Sequence, residues 1–513
     1  MTPAVLAAHR FGLGEPDLGP LRHDPRGWVL AQLRAPAPFD AGGMAGSDDM
    51  LVLGRRVLRA ALQASPEEPG SRGSAGESAT PSPPADSGIP GRPGEPGPPG
   101  RTAAPGLPGT PGAPAARAAN PDRRALATAV LEDMQRRWQH AVMTPTPVAE
   151  RWTLFWANHF TVAATKGSTL GMVGPFEREA IRPRAFGRFA DLLQASTRHP
   201  SMLLYLDNAI SVGPGSRLGR RRGRGLNENL ARELLELHTL GVDGGYTQAD
   251  VTETARLLTG WTVPRAAGRA GALGESGEAM GGPASDAPGV AGGGRFVAAL
   301  HEPGPKRILG RTYPEGPQAL DRLLEDLARH PSTARHVARR LVRHFVADDP
   351  PAALVDAVSA RFRDSDGDLA GVAQALFSHD LAWQADAPPK FKRPEEWVVG
   401  AHRLLRRPVP DVAGAARLAA ALAEMGQPPG RAPSPQGWPD RRADWLAPDA
   451  LWKRVEWAAS FAQTAGHGVD ARALAETSLG AALRAATRLE IERAASPSQA
   501  LALLLTSPEV LQR

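Results

Sequence analysis

Carboxylates, an imidazole and two amides crowd the run from Asn227 to Leu240, which reads NENLARELLELHTL. Glutamate and histidine bind metal ions and move protons near neutral pH, so Asn229, Glu233, Glu236 and His238 are the first candidates for a site. A second imidazole, His159, lies in ERWTLFWANHFTV, which begins at Glu150. At about 100° per residue, Trp152, Trp156 and His159 share one helix face. A histidine on an aromatic stripe is buried, which keeps it neutral and demands a partner for its ring N–H. Two roles fit it: a core histidine bonded to a backbone carbonyl, or a metal ligand or acid–base group at the floor of a cleft.

On the Asn227 helix, Leu230, Leu234 and Leu237 form a narrow apolar stripe. Asn229, Glu233 and Glu236 lie on one flank of it. His238 lies on the other, about 140° from Glu233, so these two do not reach one ion from this helix alone. In the last turn His238 also offsets the helix dipole. Glu228, Arg232 and Glu236 read as successive i,i+4 pairs. Glu233 borders the apolar stripe, where its carboxylate needs an arginine or histidine from another helix, or else serves as acid, base or ligand. We expect His159 and Glu233 on facing helices, both largely buried, within reach of one another or of a shared polar pocket. Such a pair suits a metal-assisted hydrolase, with His159 as ligand or base. Neither metal nor cofactor is specified: the chain has no Walker loop, dinucleotide fingerprint, HExxH or nucleophile elbow. Asp364 to Asp368 resembles the start of a calcium loop, but Gly367 comes two positions early and Ala375 stands where glutamate is needed. Asp368 reads instead as a helix N-cap.

Helical spacing dominates the elements that must carry these residues. It covers residues 122–143, 148–163, 186–207, 228–240, 248–260, 317–346, 368–378, 394–406, 411–425, 449–464 and 497–511. Gly241 stops the Asn227 helix in a left-handed position, and Thr247 with Asp250 forms a capping box for the next. Strand signals are confined to a short hairpin near Phe296–Leu300 and Ile308–Tyr313. The fold class is all-α and multi-helical, in three parts: residues 1–64, 120–265 and 295–513. Between them lie two inserts. Residues 65–119 are rich in Pro and Gly, with glycine at 88, 91, 94, 97, 100, 106, 109 and 112 but Ala103 where the Gly-X-Y period requires glycine. The composition reads as a disordered, collagen-like tract. Residues 266–294 read as a flexible Gly/Ala loop.

The charge balance is +6, and lysine occurs only at 166, 306, 390, 392 and 453, so arginine supplies nearly all the positive charge. This skew, with abundant Ala, Gly and Pro, reads as GC-rich coding more than as a nucleic-acid footprint. Gly213–Gly225 carries Arg217, Arg220, Arg221, Arg222 and Arg224, but no stacking aromatics interleave, so nucleic acid is a minor alternative. The chain has no cysteine, which excludes disulfides, thiolate metal sites and cysteine nucleophiles. The first residues lack the pattern of a secretory signal, and no run approaches the roughly 18 apolar residues of a membrane span. A cytoplasmic location is the default.

Short motifs along nearly the whole chain carry a resemblance to a known family. They are His9-Arg10-Phe11-Gly12-Leu13-Gly14, ERWTLFWANHFTV, HPSMLLYLDNA from His199, the Asn227–Trp261 segment and ILGRTY from Ile308. They continue with HPSTARHVARRLVRHFVADDPP from His330, DGDLAGVAQALFSH from Asp366, KFKRPEEWVVGAHRLL from Lys390 and SPQGWPD from Ser434. In this order they resemble the family DUF 1800, found mainly in bacteria and of unknown function. The resemblance implies a two-protein system with a DUF 1501 partner, and some relatives that are exported. Ala157-Asn158-His159-Phe160 stands where relatives often read His-Asn-His-Phe, so a mechanism requiring an imidazole at 157 does not carry over. A helical scaffold or partner-binding protein is the leading expectation, ahead of the enzyme.

Overall fold

The computed structural model describes residues 2–63, 120–222, 225–263, 293–384 and 388–513. The expected 65–119 tract and nearly all of the 266–294 loop lie outside the described residues.

Capping side chains followed by proline start several helices, since proline at the first helical position loses no hydrogen bond. The chain begins with α1 (Pro3–Val5, continuing as a π-turn through Leu6–Phe11), α2 (Pro25–Arg34) and α3 (Ser47–Gln63). Next come α4 (Pro121–Met143), capped by Asn120, α5 (Pro147–His159) and α6 (Val173–Phe176, continuing through Glu177–Ile181). Then follow α7 (Phe189–Arg198), α8 (Pro200–Tyr205), α9 (Arg217–Arg222), α10 (Asn229–Glu233, continuing through Leu234–Thr239) and α11 (Gln248–Leu258). Four short strands come next: β1 (Trp261–Thr262), β2 (Arg295–Phe296), β3 (Lys306–Ile308) and β4 (Arg311–Tyr313). The helices resume with α12 (Gln318–Ala328), α13 (Pro331–Phe345), α14 (Ala352–Asp364), α15 (Leu369–Ser378), α16 (Pro394–Leu404) and α17 (Val412–Glu424). The last are α18 (Pro448–Ala465), α19 (Ala471–Leu479), α20 (Ala485–Glu492), α21 (Pro497–Leu505) and α22 (Pro508–Leu511).

The all-α class holds, and the structure refines it in three places. The single hairpin expected near 296–313 is two separate antiparallel pairs, β1 with β2 and β3 with β4. The helices expected over 186–207 and 317–346 each break at a His-Pro step. The residue before proline avoids the helical region, so His199 and His330 turn extended, at ψ 138° and 135°. Each ring Nδ1 then accepts the N–H of the serine two residues on, at 3.2 Å. Helices α1, α2, α3, α6, α9, α14, α19 and α20 fall outside the segments that periodicity predicts.

Two main cores form. The larger gathers α2, α5, α7, α8, α10 to α15 and the strands around Trp152, Trp156, Phe189 and Phe345. The second joins α16 to α22 to the C-terminal half of α4, which contributes Trp138, Ala141 and Val142. Burying each such aromatic is worth about 1.5–3 kcal/mol. No helix among the described residues is long and apolar enough to cross a membrane.

Candidate functional site

Helix α5 enters the larger core with His159 fully buried on its last turn. His159 Nε2–H donates to the carbonyl of His238 at 3.2 Å. Its Nδ1 has no hydrogen-bond partner. The rings of His238 and His336 stand 6.3 Å away on two sides. Burial drives His159 well below the usual histidine range, reinforced by Arg340 and its two histidine neighbours. Burial likewise lowers His238 to about 3 and His336 to about 4. Three imidazoles with lowered pKa thus cluster beside Arg340, His159 and His238 buried and His336 partly so.

The other sequence candidates sit apart from it. The π-turn at Leu234–Thr239 widens the helix, so a uniform 100° step misplaces everything after Leu234. His238 is therefore buried and faces His159, not solvent at a dipole end. Glu233 is half-buried and makes no hydrogen bond or ion pair among the described residues. Burial, with Glu236 beside it, raises its pKa against the opposing pull of Arg232. Glu236 accepts from the Tyr246 hydroxyl at 3.4 Å, and Asn229 is exposed. Arg232 pairs with Glu228 at 3.2 Å as expected, but its second partner is Gln248 at 3.0 Å, not Glu236. No hydrogen bond joins His159 to Glu233. Among the described residues, no group of three or more His, Asp or Glu side chains is arranged to hold a metal ion. Asp368 caps α15 by accepting from Gly371 N at 3.0 Å. Arg217, Arg220 and Arg221 are exposed on α9; the Arg222 side chain and Arg224 lie outside the described residues.

The densest chemistry lies elsewhere, where the two cores meet. Adjacent residues on α5, Glu150 and Arg151, feed two ionic chains, and adjacent residues on α16, Glu395 and Glu396, receive them. In the first chain Glu150 takes a bidentate pair from Arg182 at 2.8 and 2.7 Å, and Arg182 also holds Glu177 at 2.6 Å. Arg137 then bridges Glu177 at 2.8 Å to Glu395, which also accepts from Trp138 Nε1 at 2.8 Å. In the second chain Glu396 faces Arg393 at 3.2 Å, Arg513 at 3.4 Å and Arg151 at 3.7 Å. Arg513 continues to Asp440 at 3.4 Å, and Asp440 accepts from His344 at 3.0 Å. These neighbours hold the Glu150, Glu396 and Asp440 carboxyls far below their usual range, against burial.

Backbone carbonyls take up the remaining cations. Arg10 donates to Gln384 O at 2.9 Å, Arg454 to Lys392 O at 2.9 Å, and Lys392 to Val510 O at 2.8 Å. None of these three has an ion pair among the described residues, and burial lowers Arg10 to about 10, Arg454 to about 9 and Lys392 to about 7. The Ser434–Asp440 segment is pinned to α5 by Asn158, whose amide donates to Trp438 O at 3.1 Å and accepts from Trp438 N at 2.8 Å. The close approach requires Gly437, at φ +86°, where a Cβ would lie 2.4 Å from Asn158 O.

A cavity of about 550 Å³ opens at this seam, between α4, α5, α6, α16, α17 and residues 427–438. Its charged floor includes Arg137, Arg151, Glu177, Arg393, Glu395 and Glu396, and Ala157 lines it too. The site was not expected from sequence, because its partners lie hundreds of positions apart and no local spacing pairs them. A signal was present: in a chain that uses arginine almost everywhere, Lys390 and Lys392 stand two residues apart in one motif, and both are buried.

These features define an all-α protein with two cores joined by buried ionic chains. Residues 7–512 match the family described as "Protein of unknown function (DUF1800)", and the chain belongs to that family. No curated protein matches the chain, and no solved structure does.

Proposed function

We propose that the protein is a helical scaffold that binds a partner protein. The observation that carries this reading is where the motif charges go. The motif residues Glu150, Arg151, Glu395, Glu396 and Asp440 are all engaged across the two cores: Glu150 is linked through Arg182, Glu177 and Arg137 to Glu395, and Arg151 through Glu396 and Arg513 to Asp440. Charges spent this way specify one arrangement of the cores and hold a surface rigid. A metal-assisted hydrolase using His159 and Glu233 is less well supported: the imidazole is sealed in an aromatic enclosure and the carboxylate makes no bond to it. A protein of the DUF 1501 family is the proposed partner. Co-expression with such a protein from the same source tests the reading. A stable complex on size-exclusion chromatography supports it. Absence of a complex, together with hydrolysis of an ester, amide or phosphate substrate that Glu233→Gln abolishes, overturns it.

A further inference from the structure

Helix α13 has two faces of opposite kind. Ala334, Val337, Ala338, Leu341, Val342 and Phe345 are buried in the larger core. His336, Arg339, Arg340 and Arg343 share the other side by helical spacing, Arg339 exposed and the rest half-buried. The helix contains no acidic residue. One turn earlier Arg335 pairs with Asp356 at 3.2 Å. Arg339, Arg340 and Arg343 have no ion pair among the described residues. Arg340 donates to Gln436 O at 3.3 Å, and Arg343 to Asp348 O at 3.3 Å. The Asp348 carboxylate also accepts from Arg442 N at 2.7 Å, which brings the exposed Arg441 alongside, again without an ion pair among the described residues. Burial lowers Arg340 to about 10; burial, with Arg441 and Arg339 adding to it, lowers Arg343. Nearby carboxylates do not neutralise the patch. Asp348 already holds Lys390, and Asp440 holds His344 and Arg513. Exposed Asp349 pulls on Arg343, one charge against four. The patch has an apolar edge: a Cβ on Gly241 would lie 2.7 Å from His336 Nδ1, so the turn carrying Val242, 73% exposed, sits directly on α13.

We propose that this face of α13 grips the partner, and that it takes a protein segment with several carboxylates and an apolar side chain seated on Val242. Guanidinium forks match carboxylates in bidentate geometry, and the exposed edges of Arg339 and Arg441 are free to do so. A nucleic acid fits less well. No exposed aromatic interleaves with the arginines for bases to stack on, and exposed Asp349 and Asp243 oppose an evenly charged phosphate backbone. The inference rests on the scaffold reading, but its test needs no natural partner. Failure here beside an intact DUF 1501 complex would remove this surface and leave that reading standing.

Fluorescence anisotropy of the full-length protein tests this with labelled probes: a short peptide of glutamates around a central leucine, the same peptide with glutamine for glutamate, and an oligothymidylate of equal length. The acidic peptide is expected to bind saturably, about tenfold or more tightly than the glutamine peptide, and to weaken as salt is raised. Arg339→Ser combined with Arg441→Ser, both at exposed positions, should weaken it about tenfold. Val242→Ser should weaken it severalfold, and replacing Arg217, Arg220 and Arg221 on α9 by serine should not, each variant melting like the wild type. If the double arginine variant fails to fold, Val242→Ser decides. Absence of saturable binding by the acidic peptide overturns the proposal. So does tighter binding of the oligothymidylate, which marks a nucleic-acid surface, and so does binding undiminished in the folded α13 or Val242 variants.

Discussion

Glu396→Gln probes the buried ionic chains at the residue with the most cationic neighbours. Its carboxylate faces Arg393 at 3.2 Å, Arg513 at 3.4 Å and Arg151 at 3.7 Å, and all four side chains are less than 10% exposed. The glutamine keeps the shape and one acceptor for Arg393 but removes the carboxylate that faces Arg151 at 3.7 Å. Removing one partner of a buried pair costs about 3–5 kcal/mol, because the other charge stays buried and uncompensated. The pKa gives a second route to the magnitude. Holding the carboxyl at about 2 instead of 4.5 corresponds to about 3 kcal/mol of preference for the charged form. Both routes give about 3 kcal/mol, read as a lower urea midpoint with unchanged slope in tryptophan fluorescence. The pH dependence has a definite sign. A depressed carboxyl contributes stability that is fully present above about pH 4.5 and is lost as pH falls toward 2. The wild type should lose that contribution across this window, and the variant should not have it to lose. A loss below about 1 kcal/mol at pH 7 would refute the reasoning, since a solvated surface pair costs no more than that.

Gly437→Ala forces a Cβ to within 2.4 Å of Asn158 O at φ +86°, and is expected to destabilise the protein by about 1–3 kcal/mol in the same assay; an unchanged midpoint would show that the segment after Ser434 is not pinned to α5. His159→Gln should destabilise by about 1–3 kcal/mol through the bond to His238 O. Glu233→Gln, removing a half-buried carboxylate with a raised pKa and no partner, should leave stability unchanged or slightly higher at pH 7; a clear loss would mean Glu233 has a bonded partner. Replacing the exposed Arg217, Arg220 and Arg221 by serine should change stability by less than about 1 kcal/mol. Salt-dependent polynucleotide binding lost in that triple variant would instead support the nucleic-acid alternative.

Helix content, the Thr247–Asp250 capping box, Gly241 at φ +83° and the Asp368 cap were legible because each depends on residues within one turn. The His-Pro breaks at 199 and 330 were equally local and carry a repeated His-Pro-Ser signature, but the strong apolar periodicity on either side masks them. The π-turn after Glu233 was not legible: no residue type marks it, and it redirected His238 from solvent to the core. His159 was legible as buried and bonded, but not its acceptor, a carbonyl 79 positions away. The seam was hidden for a further reason. Its ionic chains join residues as far apart as Arg151 and Glu396, or Glu396 and Arg513, and no local spacing encodes such pairs.

The central claim, that motif charges fasten two cores into one rigid scaffold, is tested most directly at Asp440. Its carboxylate meets His344 at the end of α13 at 3.0 Å and Arg513 at the chain end at 3.4 Å, and its carbonyl accepts from Lys390 at 2.6 Å. Hydrogen exchange of Asp440→Asn, read by mass spectrometry, should show amides of α13 in the larger core and of α16 and α21 in the second losing protection together. Unchanged or increased protection in both cores would contradict the claim.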